Sequence, residues 1–252
     1  MSIVDRRAVL AGAAAVAAFG IAGCSTAPAP HLEASLPPPP PEKPPVEPLA
    51  DAGDMKFSAM YGPVTTDPFP VPGLKPSDID PNFVRKAVDY ATSEPPGTIV
   101  VDPAHHYLYF VQEGGRAMRY GVGVGREGFA WSGTATINSK QEWPDWYPPK
   151  EMIERQPELR RQLTELQSGI GMKGGPHNPL GARAMYLWQD NKDTLFRIHG
   201  TTEPHSIGKS VSSGCIRMIN QDAIDLYSRT AVGTRVVVIG AGTAKAHTPK
   251  VG

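Results

Sequence analysis

The distribution of proline restricts the fold of this chain more than any other feature of its 252 residues. Ten of the 21 residues from Pro28 to Pro48 are proline, and five of them are consecutive, at 37–41. Because proline lacks a backbone N–H and fixes φ, this stretch cannot form a helix or a sheet and favours an extended polyproline II conformation. At about 3.1 Å per residue it spans roughly 65 Å. The pattern predicts a spacer, although a recognition site for a proline-binding module has the same composition.

The residues that precede the spacer have the composition of a secretory signal peptide. Arg6 and Arg7 come before an apolar run of small residues from Ala8 to Ala22. That run is shorter than the about 20 residues needed to cross a membrane. The two arginines also resemble a twin-arginine export signal, so the export route, general secretory or twin-arginine, stays open.

The signal peptide ends in the four residues Ile21-Ala22-Gly23-Cys24. This sequence resembles the lipobox of bacterial lipoproteins, whose cysteine is acylated and becomes the first residue of the mature protein. The resemblance implies an exported protein that a lipid on Cys24 anchors to a membrane. Cleavage near Ala22 without a lipid, or an uncleaved anchor, would use a similar leader.

The charge composition argues against nucleic acid as a partner. Lys+Arg and Asp+Glu both number 25, so the net charge is zero. Nucleic-acid binding usually depends on an excess of positive charge. The chain has two cysteines, Cys24 and Cys215, in different chemical settings, so we do not expect a disulfide between them.

From residue 97 onward the sequence has the short β-branched and aromatic runs typical of strands. Helices are predicted at 149–167 and 221–230, the second capped by Asn220. An earlier helix at 82–92, with Phe83, Ala87 and Tyr90 along one side, is expected to pack on this domain. The predominance of short strands indicates a mainly β fold with a few helices, of the β-sandwich or barrel-like kind. The predicted strands are 98–102, 107–112, 116–124, 134–138, 184–188, 194–199 and 234–239.

A histidine and a cysteine lie 16 positions apart in the most informative segment. His199 ends an apolar strand, and Cys215 follows the turn Ser212-Ser213-Gly214. Free backbone amides and a nearby imidazolium favour the thiolate at such a position. The same amides can hold an oxyanion. One histidine can prepare a thiol nucleophile and then protonate a leaving amine. From the residues alone, the alternative of a buried structural cysteine and a satisfied polar histidine stays open.

Arg217 follows the cysteine by two residues, where a guanidinium is suited to bind a substrate carboxylate. A zinc site built on Cys215 and His199 lacks a third and a fourth ligand at metal-binding spacing. We therefore predict neither a metal nor another cofactor. A papain-like protease is disfavoured, because its cysteine precedes its histidine in the chain.

The sequence His-Gly-Thr at 199–201, followed by Ser-x-Gly-Cys-Ile-Arg-Met at 212–218, resembles the signature of the L,D-transpeptidase catalytic domain of the YkuD type. Gly-Val-Gly-Val-Gly-Arg at 121–126 and Gly-Gly-Pro-His-Asn-Pro-Leu-Gly at 174–181 resemble its flanking segments. The resemblance covers roughly 97–240. One departure is Ser213, which stands where many members have His and is expected to alter substrate contacts only.

The resemblance implies an enzyme of the periplasmic cell envelope that acts on tetrapeptide stems of peptidoglycan. A cysteine thioester forms with loss of D-alanine, and the acyl group passes to an amine of another stem or of an envelope protein. The implied roles are as follows: Cys215 is the nucleophile, His199 is the base, the Gly200 carbonyl orients His199, the amides of Ser213, Gly214 and Cys215 form the oxyanion hole, and Arg217 and Ser212 bind substrate.

Two alternative functions stay open on the same residues. An L,D-carboxypeptidase or amidase would use water in place of the amine, and a non-catalytic lipoprotein would only bind peptidoglycan. The roles of Trp131, Trp143, Trp146 and His205 are not assigned. The predicted organisation is a signal peptide with lipobox at 1–24, a Pro-rich linker and N-terminal extension at 25–96, the catalytic domain at 97–240 and a disordered tail at 241–252.

Overall fold

The computed structural model describes residues 56–126 and 131–240. The predicted signal peptide, the lipobox with Cys24, the proline spacer and the tail at 241–252 lie outside the described residues. No helix in the described part of the chain is long and apolar enough to span a membrane.

Thirteen strands and three short α-helices make up the regular structure of the described residues. The helices are α1 (Phe57–Tyr61), α2 (Lys150–Arg155) and α3 (Asn220–Arg229). The strands are β1 (Lys86–Asp89), β2 (Ile99–Asp102), β3 (Tyr107–Gln112), β4 (Arg116–Gly121), β5 (Val124–Gly125), β6 (Gly133–Glu142), β7 (Thr164–Leu166), β8 (Gly169–Gly171), β9 (Arg183–Gln189), β10 (Lys192–His199), β11 (Ser210–Ser212), β12 (Ile216–Arg217) and β13 (Arg235–Val238).

Nine of these strands form one mixed sheet in the order β1-β4-β3-β2-β13-β6-β9-β10-β12. The pairs β2–β13 and β10–β12 are parallel, and the other neighbours are antiparallel. Two-stranded sheets of β5 with β11 and of β7 with β8 complete the architecture. The prediction of a mainly β fold with a few helices is confirmed.

Both faces of the large sheet are covered by apolar side chains. Ile99 and Val101 of β2 belong to the main core, which also takes side chains from α3, whereas Val100 packs in a second cluster on the opposite face. A strand that is buried on both faces carries a continuous apolar run, as β2 does. Each such side chain stabilises the fold by about 1.5–3 kcal/mol relative to an exposed one.

The helix predicted at 82–92 is wrong. A 3₁₀ turn at Pro81–Phe83 is followed by β1, which pairs with β4 in the register Lys86↔Arg119. The free edge of β4 offers unpaired backbone groups, and a strand satisfies them where a helix would not. Ala87 and Tyr90, expected on one helix side, pack in different clusters.

The helix predicted at 149–167 is correct only at its beginning. Helix α2 ends at Arg155, a 3₁₀ turn occupies Pro157–Gln162, and β7 follows. Pro157 explains the end of the helix, because its ring has no N–H and excludes the residue before it from helical geometry. Gln156 accordingly lies outside the helical region, with φ −132° and ψ 71°.

The prediction that Asn220 caps the last helix is wrong. It is the first residue of α3, whose cap position is Ile219 and has no side-chain cap. The Asn220 side chain instead accepts a hydrogen bond from the backbone N–H of Ala182, at 3.0 Å. It thereby joins the start of α3 to the loop that leads into β9.

Residues 56–85, which precede β1, pack on the sheet and on α3 through buried polar contacts. The Arg183 guanidinium donates two hydrogen bonds to Asp67, at 2.6 and 2.8 Å. This contact holds the pKa of the Asp67 carboxyl below its usual range. Arg85 pairs with Asp222 of α3 at 3.3 Å, and both side chains are buried. The N-terminal segment is therefore part of the folded unit.

The Phe83 ring of this segment packs against the 200–209 loop. It packs against Gly208, whose φ is +80°, and a Cβ added there would overlap the ring. Gly233 has a similar φ of +89° and no atom near the position of an added Cβ. A comparison of substitutions at the two glycines therefore separates the effect of backbone strain from the effect of overlap with Phe83.

We predict that Gly208→Ala lowers the free energy of unfolding by about 1–3 kcal/mol more than Gly233→Ala does. Both changes impose the strain of a positive φ, but only the first also overpacks against Phe83. Urea denaturation of the two variants measures the difference. Equal losses would mean that Phe83 does not hold the 200–209 loop.

Candidate active site

The parallel pairing of β10 with β12 brings the predicted site residues together. Ile198 lies beside Ile216, and His199 lies beside Arg217. Both isoleucines point into the main core. Because side chains alternate along a strand, His199 and Arg217 project from the opposite face, as does Cys215 at the entrance to β12.

His199 is held by its own backbone neighbour. Its ring is buried, and Nδ1 lies 2.6 Å from the carbonyl oxygen of Gly200. A carbonyl only accepts hydrogen bonds, so Nδ1 must carry the hydrogen. In the neutral ring Nε2 is then left with a lone pair, which makes it the atom that can accept a proton.

Cys215 is partly exposed and not in a disulfide. Its Sγ donates to the carbonyl oxygen of Leu195 at 3.9 Å, and the described contacts include no hydrogen bond from this thiol to His199. The register makes the two residues diagonal neighbours on adjacent strands. Catalytic hydrogen bonds are often long in a free enzyme and shorten when substrate binds.

The environments of the two groups keep both of them uncharged. Burial lowers the pKa of His199 to about 4, and the charges of Arg217 and Arg197 add to this effect. Burial also raises the pKa of the Cys215 thiol, against the opposing effect of the Arg197 backbone and charge. The neutral thiol and the neutral imidazole are therefore the forms present at pH 7.

The turn before the nucleophile is organised by Ser212. Its buried hydroxyl donates to the Cys215 carbonyl at 2.6 Å and accepts from the Gly214 N–H at 3.1 Å. Within the described residues, the N–H groups of Ser213 and Cys215 have no acceptor. Two of the three amides predicted for an oxyanion hole are thus available, whereas the Gly214 amide is engaged. Ser212, predicted to bind substrate, has its hydroxyl bonded to backbone, so the turn geometry depends on it.

A bulge in β10 supplies the contacts of the thiol. The pairing of β10 with β9 shifts register between Asp193 and Arg197. Leu195, at the centre of the bulge, has φ 63° and is 75% exposed. Its N–H donates to Asp193 at 2.8 Å, and its carbonyl faces the thiol. Bulges commonly redirect backbone groups next to active sites.

Three residues of the site were not identified from the sequence, namely Asp193, Leu195 and Arg197. Asp193 binds the Arg197 guanidinium with both carboxylate oxygens, at 3.0 and 2.9 Å. The sequence could have indicated Arg197, since it lies two residues before His199 and therefore on the same face of the strand. The bulge itself left no recognisable signal.

The remaining histidines and tryptophans are distributed around the fold. Trp131 stacks on Phe196, with ring centroids 5.8 Å apart, beside an apolar cavity that Gly214 also lines. Trp143 is buried and donates to Asp67 at 3.0 Å, so it packs against the N-terminal segment. His177 and His205 are exposed. No group of three or more metal-ligating side chains occurs in the described ranges.

Comparison with known proteins now identifies the family. The model of the YkuD family, the L,D-transpeptidase catalytic domain, matches residues 96–238. The chain belongs to this L,D-transpeptidase family. The matched range is more than half of the chain and contains His199, Cys215 and Arg217.

The chain is similar to L,D-transpeptidases of Escherichia coli and Bacillus subtilis. A probable L,D-transpeptidase of Escherichia coli, ErfK/SrfK, is 33% identical over 148 residues, which are 56% of this chain and 43% of that protein. A putative L,D-transpeptidase of Bacillus subtilis, YqjB, is 47% identical over 68 residues, 26% of this chain and 38% of that protein. The chain thus spans less than half the length of either relative.

A protein from Brucella melitensis whose crystal structure is known is 53% identical in sequence to this chain. The match covers 64% of this chain and 96% of that protein's chain, with a TM-score of 0.43. That protein is described as a probable carnitine operon oxidoreductase.

We predict that Cys215 alkylation rises continuously with pH, without a plateau at neutral pH. The raised thiol pKa and the lowered His199 pKa leave almost no thiolate at pH 7, and a tenfold gain per pH unit is expected until the thiol pKa is reached. Iodoacetamide rates on residues 45–252, in which Cys215 is the single cysteine, measure this. A plateau between pH 5 and 8 that disappears in His199→Gln would instead demonstrate a preformed thiolate–imidazolium pair.

Proposed function

We propose that this chain is a peptidoglycan L,D-transpeptidase that forms a thioester on Cys215. The donor is a tetrapeptide stem whose third residue is attacked, and the leaving group is its terminal D-alanine. The acyl group is then passed to an amine, on another stem or on an envelope protein. The observation that carries the proposal is the β10–β12 register, with the thiol and the imidazole on one face of adjacent strands within a domain of this family.

The first half of the reaction follows from the protonation states of the free site. Nε2 of His199 takes the proton of the thiol while Sγ attacks the donor carbonyl carbon, and the carbonyl electron pair moves to oxygen. The N–H groups of Ser213 and Cys215 are suited to stabilise that oxyanion. The intermediate collapses by expelling the D-alanine amine, which takes the proton from His199. A thioester and a neutral His199 are left.

The second half repeats these transfers with the acceptor. The acceptor amine attacks the thioester carbonyl and gives a proton to Nε2 of His199. The new amide forms as the C–S bond breaks, and the departing sulfur takes that proton back. Because His199 acts first as a base and then as an acid in each half, a ring that is neutral at pH 7 is the form the cycle needs at its start.

Arg217 is proposed to bind a carboxylate of the donor. Its guanidinium projects from the strand position beside His199 and is 23% exposed. Guanidinium groups bind carboxylates through two parallel hydrogen bonds, which fixes the orientation of the ligand. A donor held there would present its neighbouring carbonyl to Cys215.

We predict that a soluble chain of residues 45–252 gains the mass of a tripeptide acyl group on Cys215 when it is given a tetrapeptide stem. Cys215→Ala abolishes the adduct. His199→Ala slows its formation by about 10²–10⁴-fold, the usual contribution of a general base. The double variant loses little more than Cys215→Ala, because the two residues act as a unit.

Intact-protein mass spectrometry reads the adduct, and product analysis with an added amine acceptor separates the enzymatic alternatives. Cross-linked dimer indicates a transpeptidase. Tripeptide as the sole product at high acceptor concentration would assign the site to an L,D-carboxypeptidase. An adduct that persists in Cys215→Ala, or full activity in His199→Ala, would overturn the mechanism, and binding without any adduct would favour a peptidoglycan-binding lipoprotein.

We further propose that the protein is exported and anchored to an envelope membrane through a lipid on Cys24. Support comes from the lipobox-like residues 21–24 and from the proline spacer that separates them from the folded unit. A spacer of roughly 65 Å would let an anchored domain reach wall peptides at some distance from the membrane.

We predict that Cys24→Ala releases the protein from membranes or blocks its processing. Fractionation together with mass spectrometry of the mature N-terminus measures both effects. Cys215→Ala provides the control, since it should leave fractionation unchanged. Membrane retention of a protein with an unacylated N-terminus would contradict the proposed anchor.

A further inference from the structure

Arg217 already has an ionic partner in the free enzyme. Its Nη1 lies 2.9 Å from Oε2 of Glu203, a residue of the loop between His199 and Cys215. In the described part of the chain the guanidinium makes no other hydrogen bond. The group proposed to bind a substrate carboxylate is therefore occupied by a carboxylate of the protein itself.

Both partners are carried by firmly held backbone. Arg217 exchanges two backbone hydrogen bonds with Gly123, at 2.8 and 2.9 Å. The Glu203 carbonyl accepts from the N–H and the hydroxyl of Ser206, at 2.9 and 2.7 Å, and the Glu203 N–H donates to Thr201. The meeting of the two side chains thus follows from the fold of the loop and does not depend on a mobile segment.

The exposure of the pair indicates that a ligand can replace Glu203. The Glu203 side chain is 56% exposed, whereas Arg217 is 23% exposed. An exposed ion pair joined by one contact is weak. A substrate carboxylate that binds Arg217 through two parallel bonds would have the better geometry.

The second arginine of the site provides the contrast. Both Nη atoms of Arg197 bind Asp193, and Nη1 also donates to the Phe196 carbonyl at 3.2 Å. Arg197 and Asp193 belong to the same strand, so their pairing is part of the bulge. Of these two guanidinium groups, Arg217 is the one that a ligand can approach with most of its donors unused.

We propose that Glu203 occupies the carboxylate position on Arg217 in the free enzyme and must be displaced by the donor substrate. Glu203 would then be a specificity-determining residue: it competes for Arg217 with the carboxylate of a donor, and a donor whose carboxylate is absent or misplaced does not displace it. This inference rests on the proposed function of Arg217 as a carboxylate-binding residue. A purely structural role, in which Glu203 holds Arg217 in position for substrate, predicts the opposite sign, because its removal would then weaken binding.

The test compares Glu203→Gln with the matched control Glu94→Gln, both in a Cys215→Ala background that prevents turnover. Glu94 forms an ion pair with Arg235 at the same distance of 2.9 Å, and its hydrogen bonds in the described part of the chain go to Thr92 and Arg235. Calorimetry measures binding of a tetrapeptide stem and of the same stem with its carboxylates amidated. We expect Glu203→Gln to tighten the carboxylate stem about two- to fivefold, the range for an exposed ion pair, and to leave the amidated stem unchanged.

Three results would overturn the inference: weaker binding of the carboxylate stem in Glu203→Gln, an equal gain for both stems, or an equal gain in Glu94→Gln. The active enzyme gives a second measurement, in which Glu203→Gln should lower KM for the stem while kcat changes little.

A measurement that needs no peptide separates this inference from the proposed function. Phenylglyoxal modifies accessible guanidinium groups, and peptide mapping reports the rate at Arg217. That rate should rise in Glu203→Gln and stay unchanged in Glu94→Gln. A rise without any stem binding would keep the Glu203 contact and reject peptidoglycan stems as the ligand. No rise would reject the Glu203 contact whatever the peptides do.

Discussion

The parallel contact between β10 and β12 is the interaction on which the rest of the site depends. It is only two residues long on the β12 side, and it sets His199 beside Arg217 with Ile198 and Ile216 in the core beneath them. A shift of one residue would turn the site side chains into the core and the isoleucines outward. Burial of the two isoleucines, which is worth a few kcal/mol, therefore also fixes the register of the catalytic groups.

The short β12 cannot hold that register alone, and its support comes from distant parts of the chain. Gly123 bonds to both backbone groups of Arg217, and the 200–209 loop packs on Phe83 from the N-terminal segment. That segment is fixed in turn by the Asp67–Arg183 and Arg85–Asp222 pairs. Removing a partner from a buried pair leaves an unpaired charge, which is costly. Residues 56–85 are thus structural components of the site.

The electrostatics of the site favour neutral groups at rest and charge only during reaction. Burial acts on both the thiol and the imidazole, and the nearby Arg197 and Arg217 disfavour an imidazolium further. The same arginines favour the thiolate, so they would stabilise the negative charge that develops on sulfur and on the donor oxygen. Each arginine carries a carboxylate partner, which keeps these charges balanced in the absence of substrate.

The positions of seven of the nine strands of the large sheet, the mainly β character and the motif around Cys215 were determined by the sequence itself, because apolar runs and turn residues act locally. The early end of the helix expected at 149–167 could have been predicted in the same way, since Pro157 breaks the helix. Strand β1 could not have been predicted locally, because it forms only by pairing with the free edge of β4. The bulge at Leu195 and the pairing of Arg217 with Glu203 were likewise decided by tertiary structure. The bulge exists only in the pairing of β10 with β9, and Glu203 reaches Arg217 only because the 200–209 loop folds back beside β12. No local preference of the sequence encodes either arrangement.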